Sequence, residues 1–214
     1  MIKRIFDIVA SGGALVVLSP LLLLLTLWIR LDSPGSALFR QRRIGIGQKE
    51  FRVLKFRTMF ERDPDSIDQY KEGVITTSED PRITRSGRFL RKTSLDELPQ
   101  LWNIFRGDMS IVGPRPIIPE QLEAVPSEFM TRFDVRPGLT GLAQVRGRRS
   151  LAWLDQLAAD AEYVRDQGFL YDIKLMLLTV YVVLTGKGIY GEEGQNWRDY
   201  RDEMRAKQRQ TEKG

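Results

Sequence analysis

The feature of this sequence that most constrains its fold is an uncharged, apolar run near the N-terminus, from Ile8 to Ile29. About 20 apolar residues are enough to cross the hydrocarbon core of a bilayer. Ser19 and Pro20 interrupt the run at its middle, and a proline there must kink the helix because it lacks an amide hydrogen. The run therefore predicts either a kinked spanning helix or a re-entrant pair of helices that enters a membrane and returns.

Basic residues flank the apolar run on both sides. Lys3 and Arg4 precede it, and four arginines follow it: Arg30, Arg40, Arg42 and Arg43. Cytoplasmic flanks are enriched in Lys and Arg, so a re-entrant pair keeps both flanks on the favoured side, whereas a spanning helix places one outside. A signal peptide is disfavoured because no small-residue cleavage site follows the run. The residues alone leave the re-entrant and spanning hypotheses open.

Composition excludes several kinds of catalysis, because the 214 residues include neither Cys nor His. A Ser-His-Asp triad, a thiol nucleophile and a Cys/His zinc site are all impossible in this chain. An enzyme built from it must use carboxylates, Lys, Arg, Tyr, Ser or Thr. A metal ion would have oxygen ligands, which suit Mg²⁺.

Short β-like and helical segments follow the apolar run. The segments Ala37 to Arg40 and Phe51 to Phe56 predict a β-hairpin. The apolar segment from Leu98 to Phe105 predicts a short helix that ends at Gly107 and Asp108, and Met109 to Pro116 predicts a compact, turn-rich stretch.

The C-terminal third of the chain has a helical pattern. The segment from Ser150 to Gln167 predicts a helix whose inward face is formed by Leu151, Leu154, Leu157 and Ala158. Phe169 to Leu184 is strongly apolar, which suits a helix at a membrane interface or a buried core helix equally well. The charged segment from Trp197 to Gly214 predicts a solvated or frayed tail.

A series of basic residues precedes the segment with the most chemical interest. Arginines recur at every third position and a lysine follows: Arg82, Arg85, Arg88, Arg91 and Lys92. On a helix they would form a basic stripe that faces phosphates or anionic lipid headgroups. A solvated basic face is the alternative.

Two adjacent carboxylates, Asp96 and Glu97, come next. Ser94 and Glu97 fit a capping box, whereas Pro99 favours a helix that starts near position 99. In either case the carboxylates lie at or just before a helix N-terminus, which favours anions. They are either ordinary capping acids or a reactive pair, in which Asp96 attacks phosphorus and Glu97 holds Mg²⁺.

Two loops rich in Gly and Pro lie downstream of the carboxylates. In the first, Pro114 and Pro116 restrict the backbone around Arg115, which either prepares its guanidinium for a phosphate or makes a rigid turn. The second loop, from Arg136 to Leu142, either approaches a ligand closely or merely turns.

In this order, the motifs resemble those of the bacterial sugar transferases, the small monotopic phosphoglycosyl transferases. The resemblance rests on these segments: Lys3–Asp7, Ser19-Pro20 within the apolar run, Lys55–Met59, Leu90–Leu101, Gly107–Ser110, Gly113–Pro116 and Arg136–Gly141. It extends from Lys3 to about Leu184, and the ordered combination is far more specific than any one motif.

The resemblance implies a reaction in which a UDP-sugar gives its sugar-1-phosphate to polyprenyl (undecaprenyl) phosphate and UMP is released. This reaction is the first membrane step in the assembly of a bacterial glycoconjugate. In the family's mechanism, Asp96 is the nucleophile that carries a covalent phospho-sugar, and Glu97 binds Mg²⁺. The other residues to which the resemblance assigns contacts with phosphate, nucleotide or substrate are Arg91, Lys55, Arg57, Pro114, Arg115 and Pro116.

The resemblance also implies a fold and a location. We expect an α+β, mostly helical catalytic domain with a short β-hairpin, a re-entrant N-terminal helix-break-helix and interfacial amphipathic helices. The expected divisions are a membrane hairpin at 1–32, a catalytic domain at 33–190 and a charged tail at 191–214. The expected location is the cytoplasmic face of the bacterial inner membrane, in contact with its lipids.

Some questions stay open at this level. Asp160 and Asp172 fall where the family carries further acidic residues, and neither has an assigned role. The residues do not determine which sugar is transferred or which glycan pathway is served. They also leave the oligomeric state open, with a homodimer among the alternatives. The chain has the appearance of a minimal catalytic form. The competing hypotheses are a membrane-attached scaffold with a basic face and a single-pass protein with a nucleic-acid-binding domain, but no aromatic-basic motif supports nucleic-acid binding.

Overall fold

Helices dominate the protein, which we describe from a computed structural model covering residues 1–73, 75, 77, 79–147, 150–185 and 196–211. The helices are α1 (Ile2–Val17), α2 (Ser19–Asp32), α3 (Arg85–Thr93), α4 (Gln100–Arg106), α5 (Leu142–Arg146), α6 (Trp153–Asp166), α7 (Phe169–Thr185) and α8 (Trp197–Thr211). The strands are β1 (Leu38–Ile44), β2 (Glu50–Phe56), β3 (Ser110–Val112) and β4 (Gly138–Thr140). Short 3-10 turns include Leu95–Glu97, Pro119–Ala124 and Ser127–Phe133. The expectation of a mostly helical protein with a β-hairpin is confirmed.

The N-terminal apolar run forms two helices that bend at Leu18, where α1 ends and α2 begins. Pro20 lies in the first turn of α2, where its missing amide hydrogen costs no helical bond. Within the described residues, no single helix has the length and hydropathy to cross a membrane. The bent pair, whose axis changes direction by 61° at the break, meets both criteria when the two helices are counted together.

The start of α1 is fastened to the rest of the protein by its charged residues. Arg4 donates to the carbonyl oxygens of Ile104 and Phe105, at 2.6 and 2.8 Å. The buried carboxylate of Asp7 accepts from the backbone N–H of Ile111 at 3.0 Å. Because these partners belong to α4 and β3, the basic residues before the apolar run help to hold the fold.

The end of α2 is fastened to the same body. The buried guanidinium of Arg57 donates to the carbonyl oxygens of Pro34 and Ser33, the latter at 2.7 Å. The carboxylate of Asp32 accepts from both the backbone N–H and the hydroxyl of Ser86, each at 2.8 Å. Both ends of the bent pair therefore lie against one folded unit.

The predicted β-hairpin is present and longer than expected. Strands β1 and β2 pair antiparallel, from Leu38 opposite Phe56 to Ile44 opposite Glu50. Helix α4 is tied to β2 through Asn103, whose side chain accepts from the N–H of Leu54 and donates to the carbonyl of Arg52, both at 2.9 Å. This link sets the position of α4 relative to the hairpin.

The segment predicted as turn-rich, Met109 to Pro116, contains a strand. Strand β3 pairs in parallel with β4, which comes from the second Gly/Pro-rich loop. The two backbone segments approach so closely that a Cβ on Gly113 would lie 2.4 Å from the carbonyl oxygen of Arg136. Only glycine fits at position 113, because it has no Cβ. This close approach brings the two Gly/Pro-rich loops together beside the site described below.

Helix α6 forms as predicted, but its inward face differs from the expected one. Leu154 is exposed at 39%, and Ala158 is also exposed. The buried face is formed by Trp153, Leu157, Ala159, Asp160 and Tyr163. The prediction of Leu151, Leu154, Leu157 and Ala158 was therefore wrong in part, because it counted aliphatic residues and overlooked larger aromatic ones and a buried acid.

Helix α7 is neither a fully buried core helix nor fully exposed. Asp172 and Leu175 are buried, whereas apolar side chains on the other side are exposed: Leu170, Leu177, Val180, Tyr181 and Leu184. An exposed apolar face of this size excludes a buried core helix. It favours the alternative, a helix at a membrane interface.

The predicted solvated tail is wrong for the start of α8. Trp197 is buried among the residues that pack around Phe133 and Trp153, and Arg198 donates to the carbonyl of Glu72 at 2.6 Å. The expected boundary at 190/191 lies outside the described residues.

Candidate active site

Asp96 and Glu97 lie in the short 3-10 turn between α3 and α4. Helix α3 ends at Ser94, which adopts the left-handed conformation with φ of 58°, and α4 begins at Gln100 with Pro99 as its cap. The capping box expected between Ser94 and Glu97 does not form, because no cap bond is made by Ser94 and the Glu97 side chain has other partners. The carboxylates lie just before the helix, as Pro99 predicted.

Glu97 accepts from two cations that are distant in the sequence. Arg115 Nη2 lies 2.8 Å and Lys55 Nζ lies 3.2 Å from the same oxygen, Oε1. Burial by itself raises the pKa of Glu97, but the charges of Arg115 and Lys55 outweigh it and hold the pKa far below its ordinary value. Glu97 is therefore ionised at every physiological pH.

The pKa of Lys55 is also lowered, but for a different physical reason. Loss of hydration in its mostly buried position lowers the pKa of Lys55 to about 8, although the charge of Glu97 raises it. Arg115 lowers the Lys55 pKa further because it is a like charge. The lysine thus loses its proton close to physiological pH.

Contacts to its backbone position Arg115. Its carbonyl oxygen accepts from Arg132 Nη2 at 2.8 Å, and the carbonyl of Pro116 accepts from Arg43 Nη1 at 3.0 Å. The N–H of Ile44, at the end of β1, donates to the carbonyl of Ile117 at 2.8 Å. The prolines restrict this loop, and the hairpin and Arg132 then aim it at Glu97.

The basic stripe predicted from Arg82 to Lys92 is not one surface. Arg82 precedes α3 and pairs with Asp80 and Glu72, at 2.6 Å and 2.5 Å. Arg85 and Arg88 are exposed. Of the four arginines, Arg91 alone borders the cavities described next.

Two cavities meet at Asp96. The apolar cavity, of about 600 Å³, also contains Glu97 and Arg115 and is walled by β4 and α7: Leu139, Met176, Val182 and Val183. The basic cavity, of about 750 Å³, is lined by cations and aromatic rings: Arg40, Arg52, Lys55, Arg62, Arg198, Phe39, Phe60 and Trp197. Among the described residues, Asp96 is the one carboxylate that borders both, and Arg91 and Arg43 accompany it.

The structure therefore brings together most of the residues predicted from the motifs. Asp96, Glu97, Arg91, Lys55 and Arg115 surround the meeting point of the cavities. Arg57 borders the basic cavity, but its guanidinium is engaged with the end of α2, so its contacts here serve the fold.

A model of the bacterial sugar transferase family matches residues 1–186. The chain belongs to this family. It is 40% identical over 200 residues to the exopolysaccharide production protein ExoY of Rhizobium meliloti, a match that covers 89% of this chain and 88% of the relative. It is 45% identical over 197 residues to the UDP-glucose:undecaprenyl-phosphate glucose-1-phosphate transferase of Caulobacter vibrioides, covering 88% and 72%. It is 38% identical over 190 residues to the uncharacterized sugar transferase EpsL of Bacillus subtilis, covering 88% and 90%.

The donor set of this sugar transferase fits Mg²⁺ held jointly with a substrate. No group of three or more acidic side chains that could bind a metal on its own occurs in the described part of the chain. Mg²⁺ is commonly bound by one or two carboxylates together with substrate phosphates, and Glu97 supplies one. Lys55 and Arg115 both donate to Oε1 of Glu97, so Oε2 keeps lone pairs for a metal.

The two acids without assigned roles have distinct positions in the sugar transferase. Asp172 joins Lys3 of α1 to the hydroxyl of Tyr163, 2.8 Å away, so it connects three helices. Asp160 pairs with Arg132 at 2.7 Å within the wall of the apolar cavity.

Sequence reasoning missed Arg132 and Gln144, which belong to no motif, and saw Arg43 only as a flanking charge. For Arg43, its position at the end of the predicted hairpin was an available signal. No local pattern marks Arg132 or Gln144, which reach the apolar cavity only through the packing of their elements.

Proposed function

We propose that this protein transfers a sugar-1-phosphate from a UDP-sugar to polyprenyl phosphate and releases UMP, through a covalent phospho-sugar on Asp96. The observation that carries the proposal is the position of Asp96 between a basic and an apolar cavity, beside a cation-held Glu97. The activity for which the Caulobacter vibrioides relative is named, glucose-1-phosphate transfer from UDP-glucose to undecaprenyl phosphate, supports the same reaction.

The reaction has two steps at one phosphorus atom. A carboxylate oxygen of Asp96 attacks the phosphorus that bears the sugar, and the bond from this phosphorus to the bridging oxygen breaks as UMP leaves. An oxygen of the lipid phosphate then attacks the same phosphorus and displaces the carboxylate. The products are polyprenyl-diphosphate-sugar and free Asp96, and the bond between the sugar and its phosphate oxygen never breaks.

The basic cavity suits the nucleotide. Its arginines and Lys55 attract a diphosphate, and its aromatic rings offer faces for a base. Arg115 and Lys55 bind Glu97. They would also contact the phosphate oxygens on which negative charge develops in the transition state. Arg91 would contact the transferred phosphate, and its position at the border of both cavities supports this role.

Glu97 would hold Mg²⁺ together with the substrate phosphates, while Asp96 acts as the nucleophile. The ion would neutralise negative charge on the departing UMP. The depressed pKa of Glu97 keeps its carboxylate available as a ligand.

The bent pair α1 and α2 would be re-entrant rather than spanning. Its two ends contact the same folded unit, at Ile104 and Ser86, and one folded unit cannot lie on both sides of a membrane. The apolar side chains exposed on its helices would face lipid: Val9, Val16, Val17, Leu23, Leu24 and Leu27. The basic residues near both ends then favour the cytoplasmic face of the inner membrane.

Further exposed rings extend this apolar surface. Phe89 of α3 packs beside Trp28 of α2 with 5.4 Å between ring centroids, and Trp102 lies 5.9 Å from Phe105 on α4. Aromatic side chains favour the boundary between lipid and water. A site at this boundary lets a soluble nucleotide sugar and a membrane-bound acceptor react at the same atom.

The covalent intermediate can be tested without the lipid acceptor. When the purified full-length protein is mixed with a UDP-sugar and Mg²⁺, we expect a burst of about one UMP per enzyme and a mass increase of one phospho-sugar on the protein. Asp96→Asn should give neither, whereas Asp134→Asn, which changes an exposed aspartate, should give both. UMP release that requires both substrates together would contradict the proposed mechanism.

A further inference from the structure

The apolar cavity contains a polar patch that the phosphate chemistry does not use. Gln144 of α5, Asp160 of α6 and Arg132 of the Ser127–Phe133 turn all border it. These residues are only 7%, 2% and 4% exposed. Three separate elements therefore converge on one polar spot in an otherwise apolar wall.

Several atoms of the patch lack a hydrogen-bond partner among the described residues. They are Oε1 and Nε2 of Gln144, Oδ1 of Asp160, and Nε and Nη1 of Arg132. Buried polar atoms in proteins nearly always have a partner, because an unpaired one loses its hydration without compensation. Because the three residues that carry these atoms line the cavity, a ligand within it can complete their bonds.

The mixture of donors and acceptors identifies the chemistry of that ligand. A phosphate dianion can only accept hydrogen bonds, and an isoprenoid chain neither donates nor accepts. The oxygens of Gln144 and Asp160 need donors, while the nitrogens of Gln144 and Arg132 need acceptors. Hydroxyl groups do both, so the patch fits a ligand rich in hydroxyls.

The patch is also close to the reacting carboxylates. Arg132 Nη2 donates to the carbonyl of Arg115 at 2.8 Å, and Arg115 Nη2 donates to Glu97 at 2.8 Å. Asp96 borders the same cavity. In the proposed reaction the sugar stays on phosphorus when UMP departs, so the sugar must occupy space next to Asp96 in both steps.

We infer that Gln144, Asp160 and Arg132 bind hydroxyl groups of the transferred sugar in the apolar cavity and determine which UDP-sugar is accepted. The inference rests on the proposed function. Arg132 and Asp160 also hold each other through Nη2 and Oδ2 at 2.7 Å, so changing either one disturbs a buried ion pair. Gln144 is therefore the residue to change.

The experiment measures UMP release by full-length Gln144→Leu in micelles containing polyprenyl phosphate. The substrates are UDP-glucose, UDP-galactose, UDP-N-acetylglucosamine and deoxy analogues of the best of these sugars. We expect kcat/KM for the best sugar to fall about tenfold or more, with little loss on the analogue that lacks the contacted hydroxyl. The thermal midpoint should stay the same or rise, because the change removes an unpaired buried amide.

Gln167→Leu is the matched control. Gln167 lies at the end of α6, exposed and remote from both cavities, and its change should leave the sugar preference intact. Inhibition by UMP, which binds in the basic cavity, should be the same in wild type and Gln144→Leu. A Gln144→Leu variant without turnover is tested by binding, where weaker UDP-sugar binding with unchanged UMP binding supports the inference.

Other outcomes overturn it. In a variant that still turns over, an equal loss of kcat/KM on every sugar and every deoxy analogue, or no change at all, would show that Gln144 does not recognise the sugar. In a variant without turnover, a parallel loss of UMP binding or unchanged UDP-sugar binding would show the same. If the wild-type protein releases UMP from no UDP-sugar, the proposed function fails instead, and the two failures are thereby distinguished.

Discussion

At the scale of single residues, the site depends on how burial and neighbouring charges set the protonation of each group. Glu97 and Lys55 are joined at 3.2 Å, yet the pKa of each is lowered, for different reasons. Glu97 is held ionised by two cations, whereas Lys55 loses more from dehydration than it gains from Glu97. The protonation state of Glu97 therefore stays the same across the physiological pH range, whereas that of Lys55 changes.

This difference predicts an alkaline limit to activity. Because the pKa of Lys55 lies at about 8, its cation is present below that pH and is lost above it. We expect kcat/KM to fall above about pH 8, since phosphate binding and the environment of Glu97 both lose a charge. Lys55→Arg keeps the charge at all these pH values, so its kcat/KM should remain level further into the alkaline range, whatever its absolute value.

The measurement is a pH profile of UMP release at low UDP-sugar concentration. Lys71→Arg is the control, because Lys71 is exposed and its side chain is 87% accessible. An alkaline limb that is identical in wild type and Lys55→Arg would assign the limit to another group.

Sequence reasoning identified the site residues that are neighbours in the chain. The carboxylates Asp96 and Glu97 and the restrained Arg115 were recognisable from their own segments. Arg132 and Gln144 were not, because each is an isolated polar residue whose burial depends on distant elements. Arg57 is the converse case. Its motif assigns it a substrate contact, whereas its guanidinium contacts the end of α2.

At the scale of elements, charged side chains near the start of α1 attach this helix to the rest of the protein. Asp7 is 2% exposed and satisfies the N–H of Ile111, which joins α1 to β3. Asp7→Ala would leave that backbone group without its partner. We expect it to cost about 1–3 kcal/mol in the free energy of unfolding.

The check is thermal unfolding in detergent. Asp134→Ala, which changes an exposed aspartate, should alter stability by no more than about 0.5 kcal/mol. Equal midpoints for the two variants would mean that the contact between α1 and β3 contributes nothing measurable.

Helix α4 allows a second test at this scale, because Asn103 bonds both to β2 and to Asp108. Its amide donates to Asp108 Oδ2 at 3.2 Å and to the carbonyl of Arg52 at 2.9 Å. Asn103→Asp replaces the donor with a like charge beside Asp108, so we expect lower stability and a lower kcat as the turn that carries Asp96 shifts. Adding Asp108→Asn removes the repulsion and should restore part of both.

Thermal midpoints and kcat of the two single variants and the double variant complete this cycle. Additive losses in the double variant would show that residues 103 and 108 act independently.

The elements themselves were predictable to different degrees. Helix α4 and the β1–β2 hairpin follow local patterns; α4 formed near its expected bounds, and the hairpin formed with a first strand four residues longer at its end than predicted. The parallel pairing of β3 with β4 was not visible, because each strand is three residues long and its partner lies far along the chain. The buried face of α6 was misassigned because Trp153 and Tyr163 outweigh the aliphatic residues in buried area.

At the scale of the whole molecule, the contacts at both ends of the bent pair predict its membrane topology. The natural chain has no cysteine, so single cysteines can be introduced without background. We expect Ile2→Cys, at the exposed start of α1, and Lys49→Cys, in the exposed hairpin turn, to react with an impermeant maleimide in inside-out vesicles. Neither should react in intact spheroplasts.

A spanning helix pair would place the two positions on opposite sides. Ile2→Cys would then be labelled in spheroplasts while Lys49→Cys was not. Labelling of both in permeabilised membranes serves as the control for reactivity.

By itself, the sequence determined the break at Pro20, the adjacent carboxylates and the exclusion of Cys and His chemistry, because each depends on residue type or local backbone geometry. Only the tertiary structure decided that Glu97 meets Lys55 and Arg115, that Asp96 borders two cavities, and that both ends of the bent pair share one body. Contacts between distant residues follow from how whole elements pack, and no local periodicity encodes them.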